Sequence, residues 1–392
     1  MSEIKVNSVK GVGATTAAIT LNNSDGTCTA NVTNNLGNKN FIINGGHEVA
    51  QRGISQGAVT TTAGYRSVDR FKTDIDNSNG RWSHGQASNV PANLGFRHSS
   101  KVMITTTEAQ PSSGGTNHQF YYLMEKQDVT VLRWGSANAK TCTLSFYVRS
   151  SVAGTYPLWI QYYGTTDSYF YYSSYTINVA DAWERKTITL TGPTSGGQSE
   201  DDPENTGFRI EWGLGYDSAT ETGTLNEWTT SSTLRTPVDA VYLPENASAT
   251  WFITGCQFEI SPVATEFERC PFYKALDYCH RYCYAYRARE NNFIGNTSVF
   301  ANSTTQVKGA FFMPKVMRAY PTYSSESFVA RFRAGNSSAN FNMTTLSHEM
   351  GDDLTEFPRH WGFTVTTSSI TGGQAGLIQA EANGRIIFDS EL

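Results

Sequence analysis

Charge, proline and long apolar runs are all scarce in this 392-residue sequence, and each shortage excludes something. Charged residues make up 17%, against about 25% in an average soluble domain. The 30 Lys plus Arg are balanced by 35 Asp plus Glu, for a net charge of -5. No block of basic residues stands out, which argues against electrostatically driven nucleic-acid binding. No apolar stretch reaches the roughly 18 residues of a membrane-spanning helix, so no membrane insertion is expected. The opening MSEIKVNSVKG lacks the apolar stretch of a secretory signal. Six cysteines are far too sparse for a disulfide scaffold. No P-loop, HExxH or dinucleotide fingerprint is present, and the seven histidines are scattered without metal-ligand spacing.

What is abundant points to β-structure. Aromatics reach 12%, with 20 Tyr, 21 Phe and 8 Trp, and there are 34 Gly. β-branched and aromatic residues suit half-buried strands, and Gly, Asn and Ser suit the turns between them. The spacing predicts strands in FIING, RFKTDI, KVMITTTE, QFYYLMEK, TCTLSFYVRS, TYPLWIQYYG, SYFYYSSYTINV, AWERKTITLTG, FRIEWGLGY and TWFITGCQFEI. Each is bounded by turn residues, the pattern of a sandwich or jelly roll. Long polar loops at 192–207 and 224–250 are places where a binding site could be carried.

The expected fold class is therefore mainly β: a β-sandwich or jelly-roll domain, then a second, smaller β domain, on an extended N-terminal anchor or stem. Residues 1–38 are rich in small and β-branched residues with turns near Asn23–Gly26 and Asn34–Gly37. They hold too few large hydrophobes for a private core, so they are expected to order against copies of themselves or a larger assembly. The jelly roll is expected over 39–269. Pro262 and Pro271 mark the boundary to the third unit, 270–392, which starts with a helix-like stretch, YKALDYCHRYCYAYRA, and returns to β character.

Cys142 and Cys256 lie in strand-like runs and are expected as buried thiols. Cys270, Cys279, His280 and Cys283 invite a zinc reading, but no CxxC pair is present. Cys279 and Cys283, four apart on a helix, would share one face and pack. Hence no metal site is expected. A structural calcium remains open and unassigned, since no compact Asp-rich loop of the EF-hand kind is present, and no other cofactor is implied.

Glycoside hydrolysis needs two carboxylates across a cleft. Asp201, Asp202, Glu204, Glu211, Glu227, Asp352 and Asp353 are available, but no spacing singles out a pair, and no catalytic residue is assigned. Aromatics are the informative constellation. Alternation puts Trp159, Gln161 and Tyr163 on one strand face, and Tyr169, Tyr171 and Tyr175 on one face of the next strand. Sugars offer C–H faces that stack on aromatic rings, so Trp159, Tyr163, Tyr169, Tyr171 and Tyr175 together form the candidate glycan platform. Packing and subunit interfaces are the competing roles for the same rings.

The runs NFIINGGHEVAQRG (40–53), YRSVDRF (65–71), TLSFYVRSS (143–151), AWERKTITL (182–190) and FEISPVATEFERCPFYKALDYCHRYCYAY (258–286) resemble a recurrent tailed-bacteriophage protein. It is of the tail-fibre or virion structural type, with a jelly roll like those of carbohydrate-binding modules. The N-terminal segment resembles the opening of such proteins in phages of marine bacteria, and MPKVMRAYPT and the closing FDSEL resemble that family's C-terminal domain. The sequence departs from the pattern at Glu266, where that family often has Pro, and at Leu276–Cys279. The resemblance implies a non-enzymatic virion appendage, external on the particle: a tail fibre or receptor-binding protein, homotrimeric, joined to other virion proteins by its N-terminal segment and contacting host cell-surface glycan. A capsid-bound decoration or tail connector held by protein contacts is the alternative, and a polysaccharide depolymerase a lesser one.

Overall fold

The computed structural model describes residues 6–10, 12, 19–21, 24, 28–30, 38–59, 63–197, 202–222, 224–233, 235–287, 293–310, 313–334, 337–347, 360–365, 373 and 375–392. The Asn34–Gly37 turn, Asp201, Asp352 and Asp353 lie outside the described residues.

The chain is mainly β, a sandwich of jelly-roll type followed by a further β-sheet. Three short antiparallel strands come first: β1 (Ser8–Val9), β2 (Ile19–Leu21) and β3 (Cys28–Ala30). The sandwich follows with β4 (Ser55–Ala58), β5 (Gly64–Tyr65), β6 (Phe71–Asp76), β7 (Arg81–Ala87), β8 (Ser99–Thr106) and β9 (Asn117–Glu125). After a helical turn, α1 (Lys126–Val129), come β10 (Thr141–Ser150), β11 (Gly154–Tyr163), β12 (Ser168–Ile177), β13 (Glu184–Thr191) and β14 (Thr206–Tyr216). Short pieces β15 (Glu221–Thr222), β16 (Trp228–Thr229) and β17 (Thr236–Pro237) lead to β18 (Thr250–Glu259). One sheet has the order β13-β10-β18-β8-β7-β4, the other β16-β12-β11-β14-β9-β6-β5.

Between these sheets lies one apolar core, built from Phe71, Phe120, Trp212 and Ile210 of one sheet and Trp82, Phe146, Leu144, Trp251 and Phe258 of the other. Alternation produces it: on β14, Phe208, Ile210 and Trp212 turn inward while Arg209 and Glu211 turn outward. Aromatic edges pack on faces, as at Phe146–Trp212 with centroids 5.7 Å apart, the arrangement the ring quadrupoles favour.

Nine of the ten expected strand segments are strands. FIING is the exception, because 43–46 form a turn. Asn44 sits at φ +61°, its side chain bridging to the Val49 and Asp69 carbonyls at 2.9 and 3.0 Å. A Cβ on Gly45 would stand 2.0 Å from the Cys256 carbonyl oxygen, so only glycine lets the chain pass there. Strand β7, RWSHGQA, was not anticipated: only Trp82 and His84 point inward, too few for an apolar alternation.

Beyond the sandwich, α2 (Phe272–Cys279) precedes β19 (Cys283–Arg287), β20 (Phe293–Ala301), β21 (Gln306–Ala310), β22 (Thr322–Ala334), β23 (Ser337–Ser347), β24 (His360–Val365) and β25 (Ala375–Asp389). Their order is β19-β25-β20-β21-β24-β23-β22, and β25 also pairs with β22, so this sheet closes on itself. The helix is shorter than the sequence suggested. It ends at Cys279, and after a turn at 280–282 the run Cys283–Arg287 pairs as strand β19. Cys279 and Cys283 are buried as expected, but on a helix end and a strand rather than on one helical face. Cys142 and Cys256 are buried free thiols and Cys270 is exposed.

Buried charges tie this last sheet to the sandwich. Arg70 pairs with Glu391, Arg52 reaches Asp389 at 2.7 Å, and Glu125 accepts from Arg281 and Tyr282. Burial pushes Asp69 up to about 6, against the pull of Arg52.

Candidate functional site

The outward face of the seven-stranded sheet carries a row of side chains set directly opposite one another on six strands. Reading across β5, β6, β9, β14, β11 and β12, the register aligns Tyr65, Lys72, Tyr121, Glu211, Trp159 and Tyr172. Flanking rows add Asp74 beside Gln119, and Arg209 beside Gln161 and Phe170. Directly opposed residues share a face and touch, so the pairing converts positions distant in sequence into one surface.

The centre of this face is an ion pair. Glu211 is 0% exposed, and it pairs with Arg209 and accepts from the Tyr216 hydroxyl. The Trp159 indole N–H donates to the same hydroxyl at 3.1 Å. The Arg209 guanidinium lies over both aromatic neighbours, 3.9 Å from the Tyr121 ring centroid and 4.7 Å from that of Trp159, and donates to Gln119 at 2.9 Å. Such stacking suits a planar, weakly hydrated cation. Burial raises the Glu211 carboxyl above its usual range, while Arg209 and Tyr216 pull it back. Burial lowers Lys72, and Arg209 adds to that effect. Burial raises Asp74, with Asp76 contributing.

Part of the face is closed. Leu225 packs on Trp159, Phe170 and Tyr172. The loop carrying it is held by the Asn226 N–H on the Tyr172 carbonyl and by the Tyr172 hydroxyl on the Ser231 carbonyl, both at 2.7 Å. Trp159 is only 4% exposed. Tyr65, Lys72, Asp74, Tyr163 and Arg209 are half-buried and reach the surface.

The structure divides the aromatic set read from the sequence. Trp159 and Tyr163 lie on this outward face, while Tyr169, Tyr171 and Tyr175 turn toward the core. The five therefore form no single platform. The physical reason is register: Trp159 stands opposite Tyr172, and Ile160 opposite Tyr171, so the even-numbered rings of β12 share the Trp159 face. Tyr175 stacks on Tyr156 at 5.6 Å and accepts from the Trp251 indole at 3.1 Å. Tyr171 packs on Trp228 at 5.3 Å, and Tyr169 is half-buried against the core with its hydroxyl 3.2 Å from that of Ser195. Lys72, Gln119, Tyr121 and Arg209 were not anticipated. Alternation within QFYYLMEK and FRIEWGLGY separates the two faces, but only the pairing joins them to Trp159.

Other chemistry is placed as follows. Of the candidate carboxylates, Asp202, Glu204 and Glu227 are exposed, and Glu211 is neutralised by Arg209. Residues 53–57 spell Gly-Ile-Ser-Gln-Gly, but a nucleophile elbow needs its serine on a strand-to-helix turn, and Ser55 opens strand β4. Ser78, His118 and Glu108 also cluster, with Ser78 Oγ 2.8 Å from His118 Nε2. In a catalytic relay the acid holds the other imidazole nitrogen. Here Glu108 accepts from Ser78 instead, and the buried His118 Nδ1 has no hydrogen-bond partner among the described residues. Among the described residues no group of three or more His, Cys, Asp or Glu is arranged to hold a metal ion.

No protein-family profile matches this sequence. No curated protein matches it either. Among solved structures, the enzymatically active domain of a tailspike protein of bacteriophage CBA120 matches at 11% identity and TM-score 0.28, over 57% of this chain and 22% of that one. The chain thus spans less than a quarter of that structure. A family 11 carbohydrate-binding module of a Clostridium thermocellum cellulosomal cellulase matches at 14% identity and TM-score 0.27, over 54% of this chain and 98% of that one. The N-terminal tandem of CBM22 modules from Paenibacillus barcinonensis matches at 10% identity and TM-score 0.25, over 87% of each chain.

Proposed function

We propose that this chain is a non-enzymatic attachment protein of a phage particle, of tail-fibre or receptor-binding type, which holds host surface glycan on the outward face of its seven-stranded sheet. The observation that supports this reading is the cross-strand row from Tyr65 to Tyr172, with Lys72, Asp74, Tyr163 and Arg209 reaching solvent above a buried ion pair. Aromatic bodies offer the C–H faces of a sugar something to lie on, and fixed cations, carboxylates and amides satisfy its hydroxyls. The Glu211–Arg209 pair holds the guanidinium at a set position, so little side-chain entropy is lost on binding. Weak contact at each site is multiplied in a homotrimer attached to other virion proteins through the N-terminal segment.

A capsid decoration or connector held by protein contacts has its own supporting observation. Phe272 and Tyr273 on α2 are 51% and 74% exposed, beside a cavity of about 400 Å³ in which Ile42, Phe96, Phe267 and Ala275 are mixed with Glu48, Arg97, Glu268 and Lys274.

The test is retention of the purified full chain on an array of bacterial surface polysaccharides. Retention by the wild type, weakened about tenfold in Tyr163→Ala and in Arg209→Lys, supports the glycan reading. No retention by the wild type, with α2 buried against another protein in a particle map, favours the connector. Release of new reducing ends from a retained polysaccharide overturns the non-enzymatic part.

A further inference from the structure

The same outward face runs into a cavity at one end. Asp76 ends β6 and Asn117 opens β9, directly opposite each other, and they continue the Asp74–Gln119 row. Beyond them lies a space of about 430 Å³ bounded by Gly114, Gly115, Asp217, Ala219, Thr220, Ser232, Thr233 and Arg235, within the roughly 300–1,000 Å³ of small-ligand sites. Its lining residues are mostly polar by type, but Gly114, Gly115, Ala219 and side-chain carbon make up the larger part of the wall, so it offers both polar groups and apolar surface. Hydroxyls and a guanidinium supply donors, and two carboxylates and an amide supply acceptors. Two loops form it. Asp217 Oδ2 accepts from the backbone N–H of Gly115 and Thr116 at 2.6 and 3.1 Å. Arg235 donates to Asn117 Oδ1 at 3.3 Å and to the Ser232 carbonyl at 2.8 Å.

One feature of this cavity is unexplained by the fold. Asp217 is 1% exposed, yet its second carboxylate oxygen, Oδ1, has no hydrogen-bond partner among the described residues. A buried acceptor left unpaired is costly. Two ligand chemistries could use it, a metal cation or a hydroxyl donor. Arg235 lines the same space, and only two carboxylates are present, which disfavours a cation. A hydroxyl-bearing ligand meets donors and acceptors together, and the two Asp against one Arg oppose an acidic one.

We propose that this cavity is a subsite for one neutral sugar residue, and that Asp76 and Asp217 make it discriminate against the corresponding uronic acid. The assignment rests on the glycan reading above and deepens it.

Saturation-transfer NMR with free monosaccharides tests it without any polymer. The probes are glucose, galactose, mannose, rhamnose and N-acetylglucosamine, together with glucuronate and galacturonate. At least one neutral sugar binds the full-length wild type in the millimolar range, and its uronic acid binds at least tenfold more weakly. Ala219→Trp, an exposed position that would fill the space, abolishes the signal. Asp76→Asn, also at an exposed position, narrows the neutral-to-acidic ratio. Tyr163→Ala leaves monosaccharide binding unchanged while weakening polysaccharide retention, which separates this subsite from the rest of the face. The inference is overturned if no neutral sugar binds, if Ala219→Trp binds like the wild type, or if uronates bind as well as neutral sugars. It is also overturned if calcium alone, followed by calorimetry, binds the wild type and is lost in Asp76→Asn. In each of those cases polysaccharide retention that depends on Tyr163 would still support the glycan reading. Retention absent while the monosaccharide still binds would refute that reading alone.

Discussion

The two faces of the seven-stranded sheet are made by the same strands, yet they bury polar groups in opposite ways. The inward face and the core it closes bury neutral imidazoles. Burial lowers His84 to about 3, with Arg66 adding to the effect, and lowers His118 to about 4, Glu108 opposing. Burial also holds His47 well below its usual value, where it stacks on Phe71 at 4.2 Å. The outward face buries a full ion pair, Arg209 with Glu211, between two rings. The difference teaches that a dry core neutralises what it cannot pair, whereas a partly exposed face retains charge by pairing it and lets the cation reach the surface.

Acidification should break the contrast first and most strongly. The unfolded chain protonates its histidines below about pH 6.5, but the folded core takes up protons only near pH 3 to 4. Stability is therefore full above pH 6.5 and falls as pH drops, by roughly 1.4 kcal/mol per pH unit for each such histidine. Asp69, raised to about 6, works the other way between pH 6 and its unfolded value, and offsets only one of the three. Unfolding free energies from urea titrations at pH 7.5 and 5 should differ by several kcal/mol, and His118→Asn should flatten the slope. A flat profile would mean the core imidazoles are not neutral.

Next in size is a cavity on the inward face. Trp212 is fully buried against Phe71, Phe120 and Phe146, and Trp212→Ala should cost about 3–5 kcal/mol with the outward face otherwise intact. On that face, Glu211→Ala leaves Arg209 uncompensated and should cost about 2–3 kcal/mol. This is below the value for a wholly buried pair because the Arg209 side chain keeps 17% of its exposure. Adding Arg209→Met should restore most of the loss, since removing both charges ends the desolvation penalty. Recovery in the double variant, read by thermal denaturation, is the sharpening result, while a further loss would assign the pair a net stabilising role. Smallest of all is Tyr163→Ala, half-buried at the rim: under about 1 kcal/mol in stability, but about tenfold in polysaccharide retention. Equal losses in both would make the outward face ordinary packing.

Much of this molecule was legible from residue types alone. Nine strand segments were readable because alternation of aromatics and β-branched residues has a period the pleat imposes. Arg81–Ala87 was not, because Trp82 and His84 alone mark its inward side. FIING read as strand by propensity, but Asn44 at φ +61° and the close approach of Gly45 to Cys256 are tertiary demands. The helix over 272–279 was legible and its end was not, since the run Cys283–Arg287 leaves the helical period only once β25 offers a partner.

The candidate site divides in the same way. Trp159 and Tyr163 were legible as one face of one strand, because side-chain direction along a strand depends on parity alone. Which residues stand beside them was not, because a shift of one residue in pairing exchanges the whole of a neighbouring strand's faces. Thus the sequence by itself determined the β architecture, the core-forming rings and the parity of each strand, all of them local consequences of period and propensity. Only the tertiary structure decided that Tyr171 and Tyr175 belong to the core, that Lys72, Tyr121 and Arg209 join Trp159, and that Asp76 and Asp217 meet across a cavity. Those are matters of register and of loops closing over a sheet end, which non-local contacts set.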